Sequence, residues 1–407
     1  MSPTDSHLPL ALPLALYVHW PWCLSKCPYC DFNSHVPGTG ELDQAAYRDA
    51  ILRELNHYAQ QTKGRKLGSV FFGGGTPSLM SPETVEAILA AAQGAWEFTS
   101  DIEITLEANP TSIETSKFRA FNRAGINRVS VGIQALNNED LQALGREHTT
   151  EDARRAIDIS GALYDRFSFD LIYARPGQAE GDWADELELA LSLAAQGDGG
   201  HISLYQLTIE PGTAFFRRQV AEADENQAAD LYDLTQDICE DFGMAAYEIS
   251  NHAKPGDESR HNLIYWQGGD YIGIGPGAHG RLHTDALTDG VTRATHQIAD
   301  PRRWLQRVAK TGHATAKVRE LSRTERIEEL VLSGLRLATG IDAAQFRAQT
   351  GCALGDVLNG EELHTLQTAG LIEWDAAGLR ATRTGRLMLN TLIYRLLDLD
   401  PVACGPM

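Results

Sequence analysis

From residue 16 to residue 242, short apolar, β-branched runs alternate with helix-patterned stretches at intervals of about thirty residues. No other feature constrains the fold as strongly. Strands are predicted over 16–20, 69–72, 102–106, 128–134, 167–173 and 201–207. Helices are predicted over 42–61, 82–92, 116–124, 151–163, 183–195 and 225–242. The strand runs are near-continuous in apolar character, as expected where helices cover one face and a barrel interior the other. Six successive βα units make this an α/β chain with a parallel sheet, curved into a full or partial barrel. A doubly wound sheet gives the same alternation, so periodicity leaves closure open.

The pattern then breaks. Residues 251–320 are rich in Gly, His and Asp, with a Gly-rich run over 268–280, and read as an irregular or mixed connecting region. A new unit starts at Ser322, where Ser322 and Glu325 form a capping box ahead of a helix through Leu337. Helices over 342–350 and 361–369, a hairpin pairing 371–374 with 379–382, and a closing helix over 384–397 complete a winged-helix-like α+β module. The expected organisation is 1–250, 251–320 and 321–407. Winged helices often bind DNA, but residues 322–400 hold 8 Arg and no Lys against 11 Asp+Glu. Structural support or partner docking is the expected role of this module.

Composition narrows the function classes. Fifty-five Asp+Glu against 35 Lys+Arg leave a net charge of −20, a field that repels phosphate backbones and argues against nucleic acid as a partner. Of the six cysteines, Cys23, Cys27 and Cys30 are clustered, whereas Cys239, Cys352 and Cys404 are scattered. That distribution suits a reducing compartment and a metal site rather than a disulfide framework. The apolar run 8–16 lacks a basic flank, follows Asp5 and is interrupted by Pro9 and Pro13, unlike a signal peptide. No stretch reaches the ~20 uninterrupted apolar residues of a membrane span. A cytoplasmic protein without a transmembrane segment is expected, which leaves room for transient membrane association.

The most informative segment is Tyr17-Val-His19-Trp-Pro-Trp-Cys23-Leu-Ser-Lys-Cys27-Pro-Tyr29-Cys30. Three thiolates spaced C-x3-C-x2-C on one loop can converge on a single inorganic centre. A zinc ion would take His19 or His35 as fourth ligand. A [4Fe–4S] cluster on three thiolates leaves one iron open. Three unligated buried cysteines are the bland alternative. After the second strand comes Phe72-Gly73-Gly74-Gly75-Thr76-Pro77, whose glycines let backbone approach a ligand closely, although such a loop alone is usually a tight turn.

Together the two motifs resemble the signature of the radical S-adenosylmethionine (SAM) superfamily. The resemblance implies a [4Fe–4S] cluster on Cys23, Cys27 and Cys30, with the amino and carboxylate groups of SAM on the open iron. It extends over nearly the whole chain to the oxygen-independent coproporphyrinogen oxidase group. The further motifs that carry it are Glu107-Ala-Asn-Pro110, Gly132-Ile-Gln134, Leu144-Gly-Arg146 and Asp170-Leu-Ile-Tyr-Ala-Arg-Pro176. By that resemblance Tyr17, Tyr29, Gly74, Gly75, Thr76, Glu107, Gln134, Arg146 and Asp170 contact SAM. The chemistry agrees, since carboxylates accept hydrogen bonds from ribose hydroxyls or an ammonium and a guanidinium pairs with a carboxylate. Each of these alone would pass for a satisfied polar residue at a strand end. Their succession in strand order is what exceeds coincidence.

One departure separates the chain from the decarboxylating oxidase: that enzyme carries a further cysteine two residues past the cluster's last, where this chain has Phe32. The runs His-Trp-Pro-Trp-Cys23, Gly-Gly-Gly-Thr76-Pro-Ser-Leu, Ser203-Leu-Tyr-Gln-Leu and His261-Asn262-Leu-Ile-Tyr265-Trp266 instead resemble the HemW family of haem chaperones. The family's fold is a partial (β/α)6 radical SAM barrel with a C-terminal helical domain. Its members are taken to bind haem and pass it to an acceptor protein, and they lack oxidase activity. An oxygen-independent coproporphyrinogen III oxidase is the alternative. For haem the expected segment is His261, Asn262, Tyr265 and Trp266, with an imidazole or phenolate as axial ligand and Trp266 packing on the macrocycle. A buried structural turn is the competing account of that run.

Overall fold

The computed structural model describes residues 12–38, 42–195, 200–283 and 291–397. The first eleven residues, including the start of the apolar N-terminal run, and Cys404 lie outside the described residues. Six strands, β1 (Leu14–Trp20), β2 (Lys66–Gly74), β3 (Glu97–Ala108), β4 (Arg128–Gln134), β5 (Arg166–Tyr173) and β6 (His201–Gln206), pair in chain order and in parallel. Helices α1 (Gln44–Gln61), α2 (Pro82–Ala95), α3 (Phe118–Ala124), α4 (Thr150–Leu163), α5 (Glu180–Ala194) and α6 (Glu225–Asp241) accompany them. Local chemistry explains α2. Ser81 accepts from the Thr84 N–H, Pro82 occupies the first turn, and Val85, Ile88, Leu89 and Ala92 form one buried stripe.

Alternate positions along each strand have opposite fates. Leu16, Val18, Val70, Phe72, Ile104, Leu106, Val129, Val131, Phe169 and Leu171 join the main apolar core beneath the helices. The interleaved residues face the barrel interior and are largely polar: Ser69, Glu103, Thr105, Arg128, Ser130, Ser168, His201 and Ser203 are all buried. Truncating one of the large core side chains to Ala costs on the order of 2–5 kcal/mol.

The barrel does not close. The free edge of β1 pairs in parallel with β8 (Tyr271–Ile274), not with β6, and β6 pairs antiparallel with β7 (Asn251–Ala253). Beyond β8 the sheet runs on through antiparallel β9 (His279–His283), β10 (Thr292–Gln297) and β11 (Thr315–Leu321), making eleven strands among the described residues. Much of 251–320, which the sequence presents as irregular or mixed, is therefore an extension of the barrel sheet. Glycines hide these strands from a reading of periodicity. Gly275 and Gly277 turn the chain at φ +98° and +79°, and a side chain on either would strike His19 backbone or Asn33.

Two buried carboxylates lock the extension to the barrel. Glu54 of α1 accepts from the Gly275 N–H at 2.8 Å, the Trp304 indole N–H at 3.0 Å and the Ala314 N–H at 2.7 Å. Glu103 of β3 caps the helix α7 (Arg260–Trp266), as described below. A further helix, α8 (Pro301–Thr311), precedes β11.

The C-terminal unit has its own apolar core. Helix α9 (Arg323–Gly334) starts at the expected Ser322–Glu325 capping box. A three-stranded antiparallel sheet joins β12 (Ile341–Asp342), β14 (Gly378–Ala381) and β13 (Ile372–Trp374), one strand more than the hairpin expected. The closing helix is broken, into Arg383–Arg386 and Leu389–Leu397. Among the described residues no helix is long and apolar enough to cross a membrane.

Candidate functional site

The C-terminal ends of β1 to β5 meet at one mouth, where barrel chemistry is built. Of the residues expected to hold a cluster or SAM, every one except Tyr17 lines a single cleft there. Tyr17 lies one layer below, with its hydroxyl 3.1 Å from His19 Nδ1 and its ring on Phe71. Burial raises its phenol pKa well above normal, so it remains a neutral donor.

The cysteine loop and the glycine loop are built against each other. Gly75 N–H donates to the Trp20 carbonyl at 2.6 Å and Thr76 N–H to the Trp22 carbonyl at 2.9 Å. A Cβ on Gly75 would come within 2.8 Å of the Pro21 and Trp22 backbone, and one on Gly74, at φ +113°, within 2.6 Å of the His19 ring. Only glycine allows this approach. Thr76 donates to Cys23 Sγ at 3.4 Å, and Arg146 to Cys27 Sγ at 3.3 Å. At Cys23 the Thr76 donor works against burial, which raises the thiol pKa above normal.

A single zinc ion does not match this arrangement of thiols. Among the described residues no three Cys, His, Asp or Glu side chains converge as one tetrahedral ion requires. His19 is engaged at both ring nitrogens, by the Tyr17 hydroxyl at 3.1 Å and the Asn33 carbonyl at 3.0 Å, whereas His35 is held at Nε2, 3.0 Å from Asn33 Oδ1. A [4Fe–4S] cluster asks for one iron per thiolate rather than convergence on a single ion, and Cys23, Cys27 and Cys30 line the same cleft.

Opposite the thiols stand Glu107 and Asp170, whose exposed sides face the cleft. Glu107 accepts from the Gly74 N–H at 3.2 Å, and Ser130 donates to Asp170 at 3.3 Å. Burial, and next the charge of Asp170, push Glu107 up to about 8. Burial pushes Asp170 up to about 6 against the hydrogen bonds of Ser203 and Ser130. Neither has a salt-bridge partner among the described residues. Two carboxylates held this way are a fitting counterpart for a cationic ligand rich in hydroxyls. Arg146 also donates to Asn109 Oδ1 and the Gly132 carbonyl, at 2.5 and 2.6 Å. Gln134 sits at φ +77°, where the β4–β5 register shifts, so a bulge turns its side chain toward the mouth.

Sequence reasoning missed the supports of this site. Asn109 bridges Arg146 and Thr76, and Glu114 holds Ser78 and the Asn109 N–H. Asn109 stood inside a quoted motif, but nothing in its spacing showed that it orients Arg146.

The run expected to take haem is elsewhere. It forms α7 at the opposite end of the barrel, where His261 Nδ1 lies 2.8 Å from Ser69 Oγ. Ser69 is five residues before Gly74, about 16 Å along β2 at ~3.3 Å per residue. His261 is buried, stacks on Phe71 at 4.8 Å and leaves Nε2 without a partner. Burial pushes its pKa down to about 3, so the imidazole is neutral. Tyr265 packs edge-on against His261 and Tyr271, and Trp266 lies under the Arg336 guanidinium. His261 is thus closed to a macrocycle in this arrangement, whereas half-buried Trp266 also borders a cavity against the C-terminal unit, with Leu337, Ile341 and Phe346.

Comparison with known proteins agrees with this geometry. Residues 17–190 match the model of the Radical SAM superfamily, and residues 321–388 that of the HemN C-terminal domain. The chain is 39% identical over 393 residues to the cattle protein "Radical S-adenosyl methionine domain-containing protein 1, mitochondrial", covering 94% of this chain and 87% of the relative. It is 36% identical over 386 residues to the Escherichia coli protein "Heme chaperone HemW", covering 95% and 98%. The solved structure of the coproporphyrinogen III oxidase HemN from Escherichia coli superposes with a TM-score of 0.77 at 23% identity, over 95% of this chain and 90% of that one, and shares the fold. With full-length relatives above 30% identity and both domain models in place, the chain belongs to the HemW family of the radical SAM superfamily.

Proposed function

We propose that this protein is a haem chaperone that carries a [4Fe–4S] cluster and SAM at the barrel mouth and hands haem to an acceptor protein in the cytoplasm. The observation that carries the cofactor reading is the opposition of Cys23, Cys27 and Cys30 to the unpaired carboxylates of Glu107 and Asp170 across one cleft. A cluster on three thiolates supplies an open iron for the amino and carboxylate groups of SAM. The chain's own part is to hold that arrangement. Thr76 and Arg146 stabilise the thiolates, the Gly74–Gly75 backbone frames the cleft, and Glu107 and Asp170 accept hydrogen bonds from the cationic, hydroxyl-bearing portion. Haem as cargo is supported by the relatives in Escherichia coli and Haemophilus influenzae named "Heme chaperone HemW". Within this reading the 261–266 run takes haem when α7 moves off the sheet.

Anaerobic reconstitution followed by haem titration tests the proposal. Iron and sulfide near four per chain, a Soret band on adding haem, and transfer of that haem to an apo-acceptor are expected. Decarboxylation of coproporphyrinogen by the reduced protein with SAM would overturn it in favour of the oxidase reading, against which Phe32 speaks.

A further inference from the structure

We propose that the stacked pair His279–His296, on the open inner face of the sheet extension, is an accessible site for haem iron, separate from the 261–266 run. The inference rests on the haem-cargo reading above. Tyr271 pairs with Arg281 across β8 and β9, so His279, two residues before Arg281, shares the inward face with Tyr17 and His19 of β1. His279 pairs directly with His296 of β10, and His296 with Lys317 of β11. The two imidazole rings lie 4.0 Å apart and 15° from parallel. One pair further along, Arg281 is tied to Glu329 of α9, so the C-terminal unit contacts the face there. His279 is exposed and His296 half-buried.

Stacking together with uncommitted ring nitrogens sets this pair apart, since among the described residues His364 shares only the second property. His19, His35, His57, His148, His201, His252, His261, His283 and His313 each spend a ring nitrogen on an internal partner. His279 and His296 spend none among the described residues. Burial and the neighbouring cations lower both pKa values, so both rings are neutral near pH 7 and keep a lone pair for iron. Lys317 is exposed, makes no ion pair among the described residues and stands next in register, placed for a haem propionate. In this arrangement His279 displaces the axial water of ferric haem and forms the Fe–N bond. His296 braces its ring by stacking, and Lys317 pairs with a carboxylate.

Ferric haem titrated into the reconstituted protein decides the matter by Soret position and affinity. His279→Ala is expected to weaken haem binding at least tenfold and shift the Soret band, His296→Ala and Lys317→Ala to weaken it several-fold. Cluster iron and SAM binding should stay at parental levels in all three. His364→Ala, an exposed histidine on the C-terminal unit, should change nothing. The site is overturned if His279→Ala binds haem like the parent, if only His261→Ala loses it, or if His364→Ala loses as much. A parent protein that binds no haem would instead defeat the haem-cargo reading, and this site with it.

Discussion

Glu103, midway along the third barrel strand, accepts the backbone N–H of His261 at 3.1 Å. It also accepts from the Arg260 N–H at 3.2 Å and Ser259 Oγ at 3.3 Å, so one carboxylate caps α7 and seats it in the barrel. Arg166 reaches the same carboxylate at 2.9 Å and Arg128 lies 3.9 Å away. Burial alone would raise its pKa, but Arg128 and Arg166 hold it below the ordinary carboxylate range.

Glu103→Ala should therefore destabilise the protein by about 3 kcal/mol or more, since it strands two cations and uncaps α7. The depressed value means the stabilisation is present above the unfolded carboxyl pKa and disappears as pH falls through the folded one. Urea unfolding at pH 7 and pH 4 checks both points. A variant as stable as the parent at pH 7 would refute the role.

Replacing Cys23, Cys27 or Cys30 singly by Ala should abolish the broad visible absorption and most bound iron, because each thiolate is expected to hold its own iron. Cys239→Ala should retain both, since that thiol is buried in the main core away from the mouth. Iron and sulfide analysis after strict anaerobic handling reads the result. One zinc and no sulfide in the parent would defeat the assignment.

Asp170→Ala and Glu107→Gln should each weaken SAM binding by tenfold or more, as loss of a hydrogen bond to a charged partner costs about 1.5–3 kcal/mol. Calorimetry on reconstituted protein measures this, with circular dichroism to show that the barrel persists. Equal affinity in both variants would move SAM out of the cleft.

Glu54 gives a pH signature. Burial pushes its carboxyl up to about 7 despite the N–H groups of Gly275, Ala314 and Trp304. A raised folded value means its contribution is complete below the ordinary 4.5 and is lost as pH rises through about 7. The stability gap between parent and Glu54→Gln should be widest at pH 5 and narrow by pH 8, as read from urea midpoints. A gap that stays constant over that range would rule out this titration.

The sequence by itself determined the order of the parallel strands and the places of the cysteine and glycine loops. Strand periodicity and fixed motif spacing are local properties, and side chains at the ends of successive parallel strands must meet at one mouth. The start of α9 was legible for the same reason, since Ser322 and Glu325 cap it within four residues. Only the tertiary structure decided the rest. That β1 takes β8 as its second neighbour, leaving the barrel open, depends on pairing across some 250 residues through a glycine-rich segment that carries no period. The same holds for Glu54 and Glu103. Each reads as an ordinary charged residue in its own segment, and becomes a buried anchor only when donors from Gly275, Trp304, Ala314 and His261, more than 150 residues away, are folded onto it. A local pattern reports which face a residue occupies; what lies opposite that face is set by the whole chain.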